Sequence, residues 1–110
     1  MIEVREYLDD KGSSPYAKWF DHLNVTAAVK VSTALHRMEY GNFSNVKGVG
    51  AGVFEYRIDF GPGYRIYFGK DGDQLVILLA GGIKKRQDAD ITAAKANWQD
   101  YKRRKRREVP

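Results

Sequence analysis

The chain has 110 residues, 43% hydrophobic and with 14 aromatic side chains, which is enough for one core at the common domain size and too little for a second catalytic domain. It has no cysteine and only His22 and His36 as imidazoles, which excludes disulfide frameworks, thiol catalysis, zinc fingers and iron–sulfur centres. The net charge of +5 is uneven: Lys102 to Arg107, KRRKRR, holds six of the 19 basic residues, and residues 1–101 balance at 13 basic and 13 acidic. Lys84-Lys85-Arg86 is the other consecutive basic run, so polyanions are the expected partner.

The first residues, MIEVREYLDD, lack the basic start and greasy stretch of a signal peptide, and no apolar run reaches the ~20 residues of a membrane span. A soluble, cytoplasmic protein without a membrane partner is expected. Ile2 to Leu8 alternates loosely and predicts a short strand. Serine before Pro15 is a helix start signal, so a short helix should carry Trp19 and Phe20 toward Leu23. Asn24 caps a second helix with Ala28, Val31, Leu35 and Met38 at spacings of three and four, ended by Gly41-Asn42. Phe43 to Gly52 has no usable periodicity and reads as a loop.

From Val53 the period becomes two. Phe54, Tyr56, Ile58 and Phe60 share one face, and Val53, Glu55, Arg57 and Asp59 the other. Gly61-Pro62-Gly63 predicts a hairpin connection of about three residues, with Phe60 opposite Tyr64, Ile58 opposite Ile66 and Arg57 opposite Tyr67. Asp71-Gly72 signals a second hairpin. Leu75 to Ala80, LVILLA, fits a strand buried on both faces and ending at Gly81-Gly82, from which Lys84, Lys85 and Arg86 emerge beside the Gly61–Gly63 loop. A last helix starts at Gln87 or Asp88 and aligns Ile91, Ala94, Trp98 and Tyr101. Residues 1–101 form one domain and 102–110 a basic tail.

The non-core face of the hairpin would then show Arg57, Asp59, Arg65 and Tyr67, with Lys84 at the margin, over about one or two nucleotides of backbone. Guanidinium groups suit phosphate because they stay charged and donate paired hydrogen bonds. Tyr67 could stack on a base. Equally, Arg57 and Arg65 could pair with Glu55 and Asp59 on a solvated face, Lys84 to Arg86 could be an ordinary charged turn, and KRRKRR a solvated helix end. His22 and His36 lack clustered partners for catalysis.

The blocks FEYRIDFGPGYRIYF, Phe54 to Phe68, and LLAGGIKKRQDADITAA, Leu78 to Ala94, resemble the RelE/ParE toxin superfamily, most of all the HigB-like, phage-derived "addiction module killer" branch. WFDHLN at Trp19 and YGNFSNVKGVGAGVFE at Tyr40 extend the resemblance upstream. It implies an α+β, RelE-like fold in which two N-terminal helices and a C-terminal helix pack on a curved, mostly antiparallel four-stranded sheet. It implies a type II toxin that cleaves mRNA on the ribosome by attack of the 2′-hydroxyl, without metal or other cofactor. The same superfamily also contains ParE-like gyrase inhibitors, and a stoichiometric RNA-binding regulator is a further alternative.

By position, the resemblance assigns Arg57 and Arg65 to the scissile phosphate, Lys84 to the leaving or neighbouring phosphate, and Glu55 as candidate base, acidic where RelE has lysine. Asp90 falls near the C-terminal tyrosine of RelE, and Ile83 and Lys85 depart from the branch's Gly-Gly-Asp-Lys-Ser. Tyr67, Lys47, Lys85, Arg86, Arg103 and Arg104 are the candidate RNA contacts. The implied partners are the ribosome with its mRNA and a helix-turn-helix antitoxin, through which alone promoter DNA is reached. The nuclease reading requires Arg57 and Arg65 to project together from an open sheet face.

Overall fold

Both early helices begin where their capping residues direct, in a computed structural model that describes residues 1–108. Helix α1 (Pro15–Asp21) has Pro15 in its first turn, and the Ser14 hydroxyl accepts a 3.0 Å hydrogen bond from the Ala17 amide. Helix α2 (Val25–Glu39) is capped by Asn24, whose Oδ1 accepts from the Ala27 amide at 2.9 Å. The buried stripe of α2 is Ala27, Val31, Ala34 and Met38, with Ala28 and Leu35 half-buried beside it, so the packed face is rotated slightly from the expected one.

The sheet has five strands rather than four: β1 (Glu3–Glu6), β2 (Val46–Gly50), β3 (Val53–Ile58), β4 (Tyr64–Lys70) and β5 (Leu75–Ile83), in the spatial order β1-β5-β4-β3-β2. β1 runs parallel to β5 and the other neighbours are antiparallel, so the class is α+β with a mixed sheet. The additional strand is β2, which lies in the stretch expected to be loop. It is an edge strand with two glycines and a bulge between Gly48 and Gly50, held by backbone pairing to β3 rather than by a buried side-chain face. Ala51 and Gly52 form the tight turn to β3, both at positive φ (55° and 81°), the conformation such two-residue hairpins require.

The β3–β4 hairpin pairs Ile58 with Tyr64, Arg57 with Arg65, Tyr56 with Ile66 and Glu55 with Tyr67. The connection is therefore residues 59–63, longer by two than expected, because Asp59 and Phe60 leave the strand and Phe60 accepts the Gly63 amide in the turn. A shift of two keeps every side chain on its expected face. β5 continues through Gly81 and Gly82, which pair with Ile66 and Arg65. Those glycines answer to packing and not to a turn: a Cβ at Gly81 would lie 2.0 Å from Trp19 Cε3, and one at Gly82 1.9 Å from Asp90 Oδ2.

A 3₁₀ turn over Lys84–Arg86 leads into helix α3 (Gln87–Glu108). α1 and α2 cover one sheet face, burying Val31, Met38, Tyr56, Ile66, Phe68 and Leu78. α3 covers the other, burying Tyr67, Ile77, Leu79, Ala94 and Trp98. Each such large side chain contributes ~1.5–3 kcal/mol of transfer free energy. Trp98 reaches the sheet because β4 offers Gly69 beneath it, where a Cβ would come within 2.5 Å of the indole. The expected basic tail is helical through Glu108, and residues 109–110 lie outside the described residues. No helix among the described residues is long and apolar enough to cross a membrane.

Candidate functional site

Pairing β3 with β4 sets Arg57 directly opposite Arg65, an arrangement that repels unless an anion lies between. Glu55 is that anion. Its Oε1 accepts a 2.8 Å hydrogen bond from Arg57 Nε and lies 3.8 Å from Arg65 Nε, and its Oε2 accepts from Gln87 Nε2 at 2.7 Å. One carboxylate thus ties β3, β4 and the first residue of α3. Arg65 Nη1 also donates to the Tyr64 carbonyl at 3.0 Å. Glu55 has no exposed surface and the Arg65 side chain 5%, whereas 40% of the Arg57 side chain meets solvent.

The two guanidinium groups converge, as a shared anionic target demands, but the face is not open. Arg65 is sealed on the side that α3 covers and is paired with Glu55, because the expected open surface is half of a second hydrophobic layer. Glu55 has both oxygens occupied and no solvent path, so in this arrangement it cannot act as a base toward a bound ligand. Tyr67 is fully buried, which raises its hydroxyl above the ordinary phenol range, with Glu55 and Asp90 adding to the effect. Its ring packs in the core and cannot stack on a base. The Tyr67 hydroxyl and Arg65 Nε are buried without a hydrogen-bond partner among the described residues.

Lys84, Lys85 and Arg86 are exposed at the end of the sheet, as expected. The Lys84 amide donates to the Gly63 carbonyl at 2.7 Å. A Cβ on Gly63, whose φ is +78°, would lie 3.3 Å from Lys84 Cβ and 3.4 Å from Arg65 Nη1, so this glycine lets both cationic residues approach the loop. Asp90, over Gly82, has its carboxyl raised by burial, with Arg86 opposing the shift. Among the described residues no three His, Cys, Asp or Glu side chains gather as a metal ion would require.

Two further features went unread in the sequence. Gln87 closes the Glu55 cluster and carries no charge signal. A cleft of about 610 Å³ between α2 and the β2–β3 ribbon is lined by Lys30, Arg37, Lys47 and Arg57, with Asp59 its only acid. Lys30 and Arg37 stand seven residues apart, hence on one face of α2, a spacing that was visible beside the apolar stripe. Lys47, expected to touch RNA, therefore lies in this cleft, with Arg57 at the rim it shares with the Glu55 cluster. Arg103 and Arg104, also candidate RNA contacts, are instead paired with Asp100, and Arg104 further donates to the Tyr7 hydroxyl. Lys105 pairs with Asp71.

The family model of phage-derived Gp49-like proteins (DUF891) matches residues 18–103, from α1 almost to the end of α3. An uncharacterized protein of Haemophilus influenzae is 43% identical over 86 residues, which cover 77% of this chain and 87% of that protein. The matched span holds the Glu55 cluster, the Lys84 turn and the cleft, and the chain belongs to the phage-derived Gp49-like family, a RelE-like toxin family of toxin–antitoxin systems.

Proposed function

We propose that the protein is the toxin of a type II toxin–antitoxin module, of the HigB-like branch, and cleaves mRNA in the A site of cytoplasmic ribosomes. The open face with two projecting arginines that this reading was expected to need is absent, since Arg65 is sealed and paired with Glu55, so the reading rests on Arg57 alone: its partly exposed guanidinium, oriented by Glu55, stands on the same end of the sheet as exposed Lys84, Lys85 and Arg86. The 2′-oxygen attacks the adjacent phosphorus as the bond to the 5′-oxygen breaks, giving a 2′,3′-cyclic phosphate and a 5′-hydroxyl, with water taking the proton of the 2′-hydroxyl and returning one to the 5′-oxygen. Arg57 stabilises the charge on the non-bridging oxygens and Lys84 that on the leaving or neighbouring phosphate. Arg65 and Glu55 act as positioning residues behind Arg57, since neither reaches solvent. A small helix-turn-helix antitoxin covering these cations and carrying the promoter contacts completes the module.

The test is purified protein with programmed ribosomes and mRNA in chelator, read by primer extension. Wild type should cut, and Arg57→Ala and Lys84→Ala should each lose about 10²–10³-fold in rate. The sealing of Glu55 and Arg65 beneath α3 favours a second reading, a ParE-like protein that inhibits gyrase by contact alone. No cutting by wild type, together with gyrase-dependent DNA breaks, replaces the first reading with the second.

A further inference from the structure

We infer that the cleft between α2 and the β2–β3 ribbon is a separate RNA subsite, which takes single-stranded backbone flanking the linkage held at Arg57. The inference extends the RNA reading above and rests on it for the direction of the strand.

Charge is the first argument. Lys30, Arg37 and Lys47 make no ion pair among the described residues, and the one acid in the lining is Asp59. These cations therefore keep their field, and low-dielectric walls focus it in a concave site. Continuity is the second. Arg57 borders the cleft while its side chain turns toward Glu55 on the α3 face, so a strand held at Arg57 reaches the cleft by passing round the β2–β3 edge of the sheet, where Lys47 stands. Lys30 and Arg37 are two helical turns apart, ~10.5 Å along α2, or about three stacked nucleotide steps.

An aromatic ring is the third argument. Phe60, 36% exposed, lines the cleft, with the Lys30 ammonium 5.1 Å from its ring centroid. An exposed ring among unpaired cations is how sequence-tolerant single-strand sites hold a base and its phosphate together. Polar Thr33, Ser44 and Asn45 share the lining with apolar residues such as Val29, Val46 and Ile58, so the cleft offers hydrogen bonds to a sugar-phosphate chain and apolar surface to a base.

Binding of a fluorescein-labelled oligouridine of about 12 nucleotides, followed by anisotropy from low to high salt, tests the subsite. Lys30→Ala with Arg37→Ala should flatten the plot of log affinity against log salt by about 1.4, two phosphates at ~0.7 each. Lys11→Ala with Lys18→Ala removes the same charge from exposed positions away from the cleft and should leave the slope within error. Equal effects from the two pairs overturn the inference. So does a polyglutamate peptide whose binding needs Lys30 and Arg37 while oligouridine binding does not, a result that gives the cleft to an acidic polypeptide. Oligouridine binding through Lys30 and Arg37 with no cutting on ribosomes keeps the subsite and ends the enzymatic reading. Cutting with an unchanged slope does the reverse.

Discussion

At the end of α3, Asp100 holds Arg103 and Arg104, and Asp71 holds Lys105, so three cations of the KRRKRR run are spent on the protein's own acids. Across the molecule Lys30, Arg37 and Lys47 share one cleft and pair with no acid among the described residues. The first region is conspicuous in sequence and partly silent in the fold. The second is scattered over 18 positions, 30 to 47, and is the more available field. The difference teaches that Asp100, at i−3 and i−4, answers two cations of the run at helical spacing and Asp71 answers a third from the β4–β5 turn, whereas two cations of α2 and one of β2 meet in the cleft with no acid paired to them among the described residues. The Glu55 cluster is a third condition: charges that are paired and also buried.

Pairing should matter most where water is excluded. Glu55→Ala leaves Arg65 buried with no counter-charge and should cost about 3–5 kcal/mol in urea unfolding. Glu55→Met together with Arg65→Leu removes both charges and should recover most of that loss, because the pair's Coulomb gain only offsets its desolvation. A cost for Glu55→Ala below about 1 kcal/mol, the range of an exposed pair, would show that the carboxylate does not neutralise Arg65 and would dissolve the distinction between buried and surface pairing.

Much of the frame was legible in the sequence because it is written in local signals. Ser14, Pro15 and Asn24 set the helix starts, and the alternation from Val53 set which residues share a face. β2 was not legible, because an edge strand built around Gly48 and Gly50 shows no periodicity and takes its order from β3. The closure of the Arg57–Arg65 face is invisible in the sequence for a related reason. Alternation tells that two residues share a face and says nothing of what covers it, and here α3 brings Gln87 and Asp90 over them. Gly81 and Gly82 look like a strand terminus until Trp19 and Asp90 are seen against them.

Acid and alkali should separate the paired end of α3 from the cleft at moderate cost. Hydrogen bonds from Arg104 and Tyr7 hold the Asp100 carboxyl well below the usual carboxylate range, and Lys105 with Tyr101 lowers Asp71. Because these folded-state values are depressed, the stability they confer is complete above the unfolded value near 4 and is lost as pH falls through the lower folded value. Tyr7 behaves oppositely: burial, then its bond to Asp100, pushes it from 10.0 up to about 12. Its contribution is complete below 10 and is lost as pH rises through about 12. Melting temperature against pH should show both limbs in wild type. Asp100→Asn should shrink the acid limb and Tyr7→Phe the alkaline one, while Lys30→Ala with Arg37→Ala should change neither.

The finest division is between a cation that is present and one that is free. Asp100→Asn leaves every basic residue of α3 in place and removes the acid that Arg103 and Arg104 share. If pairing is what silences them, oligouridine binding should become more salt-sensitive, with the slope steeper by up to about 1.4, as two more phosphates come to be neutralised. The gain is the smallest effect expected, since exposed pairs already open at modest cost and high salt screens them. An unchanged slope would mean that the helix end lies off the path of the strand, and that position rather than pairing separates it from the cleft. A steeper slope in Asp100→Asn, alongside a flatter one in Lys30→Ala with Arg37→Ala, would instead place both regions along one bound strand, with Asp100 setting how far that strand engages α3.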